Sequence, residues 1–180
     1  MKKSVIAAFA AAVILVTTVG VQARVYDYTF TSPSEQMSGE LTVDLSNNEV
    51  TGITGILSGA VADVINGVVD NSSFPSIVGS PDGLFIYNDL FYPGASPVLD
   101  VYGVLFTTAG NPSGYWNLWG NSPGSYSLYE SSNGGYAFAV DGNLTVTAPE
   151  PSTWAMKMLG FASLGFAGAR ASRKSAALAA

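Results

Sequence analysis

The sequence predicts an all-β fold, an antiparallel β-sandwich of about nine short strands, flanked by an N-terminal signal helix and a C-terminal transmembrane helix. Within residues 24–148, apolar and polar residues alternate with a period of two, which is typical of half-buried strands. Loops rich in Pro and Gly separate these runs, and short strands at such spacing are typical of sandwiches and barrels. The region is also long enough to bury a single core.

Residues 1–23 are predicted to be a secretory signal peptide. A basic start with two lysines precedes an apolar stretch, and Val21 and Ala23 supply the small side chains of a cleavage site before Arg24. The alternatives are an ordinary N-terminal helix or a retained anchor. The three-part pattern favours export through the inner membrane, so the domain is expected at residues 24–148.

The strands are expected in order along this domain. Tyr26, Tyr28 and Phe30 share one face of the first strand, and Leu41 and Val43 repeat the alternation in the second. The alternation therefore predicts that these side chains point into the core. Further strands are predicted at 50–57, 60–65, 84–88, 98–107, 115–118 and 125–129.

The last predicted strand, 136–146, keeps its apolar residues at even positions across Gly142. A hairpin turn at Asp141 and Gly142 is the alternative, because this dipeptide suits a tight turn. The unbroken parity favours one long strand with a bulge or a close approach at Gly142.

The charges are distributed unevenly. All seven Lys and Arg residues lie outside residues 25–148, whereas twelve of the thirteen Asp and Glu residues lie inside. A domain whose only Lys or Arg is Arg24 cannot neutralise a run of phosphates, so nucleic acid is excluded as a partner. An anionic polymer would be repelled unless divalent ions bridged the two surfaces. The favoured interpretation of the acidity is solubility of an exported domain.

The exported domain is predicted not to be an enzyme and to have no catalytic residues. The chain has no His and no Cys, which removes the commonest general base and the thiol nucleophile. A pair of carboxylates acting on a glycosidic bond is the route that remains. Asp82, Asp89 and Asp100 are the candidates, with solvated surface acids as the alternative interpretation.

Calcium is the one cofactor that the composition leaves open, because it binds carboxylate, amide and carbonyl oxygens. Oxygen-rich clusters occur at Asn66–Asn71, at Asn88 and Asp89, and at Asp141–Asn143. None has the spacing of an EF-hand loop, and turns stabilised by Asn and Asp side chains are the favoured explanation. The sequence therefore predicts no metal site and no cofactor.

Aromatic residues between 115 and 129 raise the alternative of a carbohydrate-binding module. In a strand, Trp116 lies on one face while Tyr115 and Trp119 lie on the other, so at least one face is expected in the core. Core packing is the favoured interpretation, since aromatic residues are common in half-buried strands. The residues that would form a sugar-stacking face are Tyr115, Trp116, Trp119, Tyr126 and Tyr129.

The composition changes after Ala148. Pro149 and Pro151 flank Glu150 and are expected to end the sheet, because proline has no backbone donor. The apolar segment that follows, residues 153–169, carries one charge, Lys157. As a helix it would be roughly 25 Å long, whereas the hydrocarbon core of a bilayer is ~30 Å thick. It is therefore a marginal membrane anchor.

The anchor begins at Trp154, the position of an interfacial aromatic, and a basic cluster follows it. Arg170, Arg173 and Lys174 form that cluster and predict the cytoplasm on their side of the membrane. The anchor residues singled out by the pattern are Trp154, Lys157, Leu159, Gly160, Phe161, Gly165 and Phe166.

In order and spacing, residues 149–175 resemble the PEP-CTERM sorting signal, a C-terminal tag of exported proteins in Gram-negative, exopolysaccharide-producing bacteria. The resemblance implies recognition through Pro149, Glu150 and Pro151 by exosortase, a membrane enzyme that cleaves the tag. It implies that the segment from Trp154 is a transient anchor and that the basic cluster holds it. Two features depart from the family pattern: Lys157 replaces an apolar residue, and a short tail, 176–180, follows the signal.

The sequence thus predicts a non-enzymatic protein that is exported, anchored transiently in the membrane and sorted by exosortase to the cell surface or extracellular matrix. The alternative is a carbohydrate- or ice-binding module on the same sandwich, since the resemblance extends to some ice-binding proteins that carry this tag. The expected partners are exosortase and the cell membrane, with exopolysaccharide as a further candidate.

Overall fold

The computed structural model describes residues 23–148, which form ten strands and contain no helix. The prediction of an all-β fold is confirmed for this range. Residues 1–22 of the predicted signal peptide and the whole predicted sorting signal, 149–175, lie outside the described residues. The strands are β1 (Ala23–Thr31), β2 (Glu35–Asp44), β3 (Glu49–Gly59), β4 (Asp63–Val68), β5 (Val78–Gly79), β6 (Ile86–Tyr87), β7 (Val104–Thr108), β8 (Tyr115–Ser122), β9 (Ser125–Ser132) and β10 (Gly135–Thr147).

Eight of the strands pair antiparallel into a closed barrel with the order β1-β10-β9-β8-β7-β4-β3-β2, and β1 closes the ring by pairing with β2 on its other side. The remaining strands, β5 and β6, form a small separate sheet. The pairing therefore gives one continuous sheet, whereas the predicted sandwich requires two packed sheets. Both architectures bury one face of every strand, so the same alternation predicts either.

The barrel interior is the hydrophobic core. Tyr26, Tyr28 and Phe30 of β1 are all buried, as the alternation predicted. On the opposite side of the ring, Trp116 is fully buried and its indole stacks on Phe106 with 6.3 Å between ring centroids. An eight-stranded barrel has an interior just wide enough to be filled by side chains, which is how this core is built.

β10 is one uninterrupted strand of 13 residues, as parity predicted. Its bulge lies between Tyr136 and Phe138, far from Gly142. A Cβ atom at position 142 would lie 2.5 Å from the Thr31 carbonyl oxygen and 2.7 Å from Cζ of Phe30. Close approach, rather than a bulge, is therefore what requires glycine at this position.

A long connection, residues 69–103, joins β4 to β7 and covers the barrel in two places. Its first part carries β5 and β6 across the outer face of the barrel, where Phe85 and Tyr87 are buried together with Leu105 of β7. Its second part closes one end of the barrel. There the ring of Phe91 lies 5.0 Å from that of Tyr26.

This connection explains where the strand predictions were too long. The predicted strand 98–107 is shortened to β7, because residues 98–103 belong to the returning arm of the connection. Leu99 in that arm is fully buried and pairs with Phe91 only through an isolated bridge. Its apolar character reflects burial at the end of the barrel and not membership of a strand.

Both ends of the described chain lie at the same end of the barrel. β1 and β10 are antiparallel neighbours with Asp27 opposite Thr147, so β1 begins where β10 ends. The arm around Phe91 closes this same end, since the Phe91 amide donates to the Asn48 carbonyl in the turn between β2 and β3. Residues 23–148 include no helix with the length and apolar character needed to cross a membrane.

The packing at Gly142 can be tested with two alanine substitutions in the same strand. We expect Gly142→Ala to lower the free energy of unfolding by about 1–3 kcal/mol, because the new methyl group collides with Phe30 and with the backbone of β1. Gly135→Ala is the control, since a Cβ atom there has no neighbour within 4 Å. Urea unfolding measures both variants, and equal midpoints would contradict the close approach.

Candidate functional site

The structure divides the five aromatic residues singled out by the sequence between the core and the outer surface. Trp116 and Tyr126 are buried inside the barrel. Tyr115, Trp119 and Tyr129 lie on the outer face, packed against the cluster formed by the long connection. The expectation that one face of β8 belongs to the core is confirmed. The other face remains available for a surface function.

The outer-face aromatics continue into a groove of about 160 Å³ beside the long connection, which we call the aromatic groove. The rings of Trp119 and Tyr129 are 4.7 Å apart, and Tyr129 meets Tyr136 edge-on at 5.7 Å. Tyr136 in turn lies 5.5 Å from Phe85. The groove is lined by Leu84, Phe85, Ile86, Val101, Asn117, Trp119 and Tyr136.

Tyr136 reaches the groove because of the bulge in β10. Alternation places Tyr136 and Phe138 on one face, but the register shift between them sends the two side chains to opposite faces. Phe138 packs on Trp116 in the core, with 5.7 Å between the rings. Tyr136 points outward and is 58% exposed. The parity prediction that Tyr136 shares the inward face with Phe138 is therefore wrong, because no residue type marks the bulge.

Two hydrogen bonds hold the aromatic rings of the groove in place. The Tyr136 hydroxyl donates to the Leu84 carbonyl at 2.9 Å. Nε1 of Trp119 donates to Oδ1 of Asn121 at 3.0 Å. The rings therefore have fixed orientations before any ligand arrives, which reduces the entropy lost on binding.

Asn117 is the polar residue of the groove and is only 3% exposed. Its Nδ2 donates to the carbonyls of Tyr102 at 3.0 Å and Ile86 at 3.4 Å, while its Oδ1 has no hydrogen-bond partner. A buried acceptor without a partner costs about 1–3 kcal/mol. The sequence signal was an Asn inside an aromatic strand, where Asn is depleted.

The three carboxylates considered for glycosidic chemistry each accept hydrogen bonds that fix the long connection in place. Asp82 accepts hydrogen bonds from the hydroxyls of Ser80 and Ser131. Burial is the largest single influence and raises the pKa of Asp82, but the hydrogen bonds from Ser131, Ser80 and two backbone amides together outweigh it, so the pKa is lowered overall. Asp100 accepts from Nδ2 of Asn88 at 2.6 Å, and Asp89 accepts from the Leu105 amide at 3.1 Å. Each carboxylate thus has a structural role.

The structure brings two of the three oxygen-rich clusters together. Asp70, Asn71 and Asp89 line one small cleft of about 90 Å³ with Glu49, whereas the cluster at Asp141–Asn143 lies on β10. Asn71 accepts a hydrogen bond from the backbone amide two residues ahead, the pattern of the predicted turns. Within residues 23–148, no group of three or more acidic, His or Cys side chains is arranged to hold a metal ion.

Asp89 has the most perturbed environment of these acids. It is 2% exposed, and burial raises its pKa to about 8. The hydrogen bond from Leu105 lowers the pKa, but the charges of Glu49 and Asp70 raise it further. The Asp89 carboxyl therefore keeps its proton near neutral pH.

No protein-family model matches the chain, and comparisons with curated proteins and with solved structures give no match either.

The protonation of Asp89 predicts how stability depends on pH. The folded state keeps this proton between about pH 4 and about pH 8, whereas the unfolded chain has lost it. The contribution of Asp89 therefore makes the parent less stable as the pH rises through this window, by about 1.4 kcal/mol per pH unit at most. Asp89→Asn removes the titration but keeps an acceptor for Leu105 and suits the positive φ of 55°.

We expect the stability of Asp89→Asn relative to the parent to increase from pH 4 to pH 8, as measured by urea unfolding at each pH. Asp27→Asn, an exposed carboxylate on β1, is the control for the change of charge and should keep the pH dependence of the parent. A constant difference between Asp89→Asn and the parent at every pH would contradict a protonated Asp89.

Proposed function

We propose that this chain is an exported, non-enzymatic protein of the cell surface or extracellular matrix. It is anchored transiently in the membrane and sorted by exosortase through residues 149–175. The observation that carries the proposal is the order of three elements: a Pro-Glu-Pro triplet, an apolar segment that starts at Trp154, and a basic cluster that starts at Arg170. A signal peptide at residues 1–23 supplies the export step that such a tag requires.

The extent of the folded domain supports this proposal. β10 ends at Thr147, two residues before Pro149. Removal of the tag at or beyond the triplet would therefore leave every strand of the barrel intact. Ala23 and Ala148 leave the barrel at the same end, which is compatible with an export signal before β1 and an anchor after β10.

A second candidate function, carbohydrate binding, is favoured by the aromatic groove. Exposed aromatic rings with a nearby polar side chain are the usual components of a small-molecule site. This function is compatible with sorting, because a surface or matrix protein meets polysaccharide where it is delivered.

The sorting function can be tested by intact-mass analysis of the chain produced in a host with exosortase and in the same host without it. We expect the released protein to lack the signal peptide and the tag only where exosortase is present. Replacing Pro149, Glu150 and Pro151 with alanine should lower release at least about tenfold and leave a full-length C-terminus in the membrane fraction, since recognition is lost.

Leu178→Ala in the tail is the matched control and should be released like the parent. Equal release of the triple variant and the parent would show that the triplet is not the recognised element. An unchanged C-terminus in both hosts would overturn sorting by exosortase altogether.

A further inference from the structure

We propose that the aromatic groove binds one ring of a neutral sugar, with Tyr136 and Trp119 as the stacking surfaces and Asn117 as the polar contact. This inference adds a ligand to the proposed function. It rests on that function only for the location at which the protein encounters the sugar. A sugar ring has an apolar C–H face and a rim of hydroxyl groups. The groove is lined by π faces and by Asn117, whose buried Oδ1 has no hydrogen-bond partner.

The stacking surface is exposed and already oriented. Tyr136 is 58% exposed, although its ring is held by Phe85, by the edge of Tyr129 and by the hydrogen bond to Leu84. Aromatic rings that are both exposed and fixed contribute contact area at little entropic cost. A fixed ring in a groove is better suited to the flat apolar face of a sugar ring than to a flexible apolar chain.

The polar contact is selective for a hydrogen-bond donor. Both hydrogen atoms of the Asn117 amide group are directed to backbone carbonyls, so its Oδ1 is fixed as an acceptor. This oxygen is buried. A hydroxyl group can therefore reach it only if a lining side chain moves, and the lining residues Ile86 and Val101 are 57% and 61% exposed.

The charges select a neutral sugar over an acidic one. Arg24 is the only Lys or Arg within residues 23–148, and it lies at the start of β1, outside the set of groove residues. The groove instead adjoins Asp82, because the carboxylate of Asp82 accepts from the amide of the lining residue Leu84 at 3.2 Å. The hydrogen bonds that lower the pKa of Asp82 keep it ionised, so an anionic sugar would be repelled.

The size of the groove limits the contact to a single ring. Its volume of about 160 Å³ is below the roughly 300–1,000 Å³ of pockets that enclose drug-sized ligands. One ring would occupy the groove, and the rest of a polysaccharide would continue over the surface. We therefore expect binding to a polymer that offers many equivalent rings, with weak affinity for each.

Affinity electrophoresis of the full chain in mild detergent tests this site. The gels contain a neutral glucan, a neutral galactomannan or a neutral xylan, and alginate serves as the anionic polysaccharide. We expect retardation in at least one neutral gel and none in alginate. Tyr136→Ala should weaken that binding about tenfold, which is the loss expected for a central aromatic contact.

Tyr92→Ala is the matched control, because Tyr92 is also an exposed tyrosine but does not line the groove. It should bind like the parent. Far-UV circular dichroism tests whether both variants are folded. If Tyr136→Ala does not fold, Trp119→Phe takes its place as the test variant, and because it keeps a smaller ring it should give an intermediate loss of binding.

Three results would overturn the proposal: no retardation in any neutral gel, equal binding by Tyr136→Ala and the parent, or stronger retardation by alginate. Sedimentation analysis tests the other possible occupant of the groove, which is a second copy of the chain. A parent dimer that Tyr136→Ala converts to monomer, without sugar binding, would assign the groove to self-association. The sorting experiment is read from the C-terminal mass, so each proposal can fail while the other stands.

Discussion

The pairing of β1 with β10 is the interaction on which the rest of the barrel depends. It joins the first and last strands of the described chain into one ring, and without it the sheet would have two open edges. The ring of Phe30 lies directly against the backbone at Gly142, so the seam is also a packing contact. Because the interior is filled by side chains, the position of this seam constrains Trp116 and Phe106 across the core.

Hydrogen bonds to carboxylates have the role that ion pairs have in many other domains. With Arg24 as the only Lys or Arg in residues 23–148, the acids that fix the long connection accept from amide and hydroxyl groups. Asp82 joins the connection to β9 through Ser131, and Asp100 fixes its returning arm through Asn88. Charge-assisted hydrogen bonds are roughly twice as strong as neutral ones. The shape of the aromatic groove therefore depends on acids whose negative charge also limits which ligands approach it.

The sequence was sufficient for the parts of the fold that alternation determines. The inward positions of Tyr26, Tyr28 and Phe30 and the continuity of β10 follow from a period of two. Ring closure does not follow, because it is a long-range pairing that leaves the alternation unchanged. The groove was only partly predictable. Trp119 was identified, but Tyr136 reaches the surface through a bulge, and the importance of Asn117 arises from carbonyl groups of the long connection.

The seam between the terminal strands also has a consequence for the timing of folding. In a chain that crosses a membrane N-terminus first, β1 emerges early and β10 emerges last. The two strands can pair only after β10 has emerged. The partner of β1 in the closing seam is therefore missing for most of the passage, and contacts this distant in sequence form slowly. Until then the barrel cannot close. If the chain is exported as proposed, this architecture favours an unfolded chain during translocation and delays completion of the core until Thr147 has crossed.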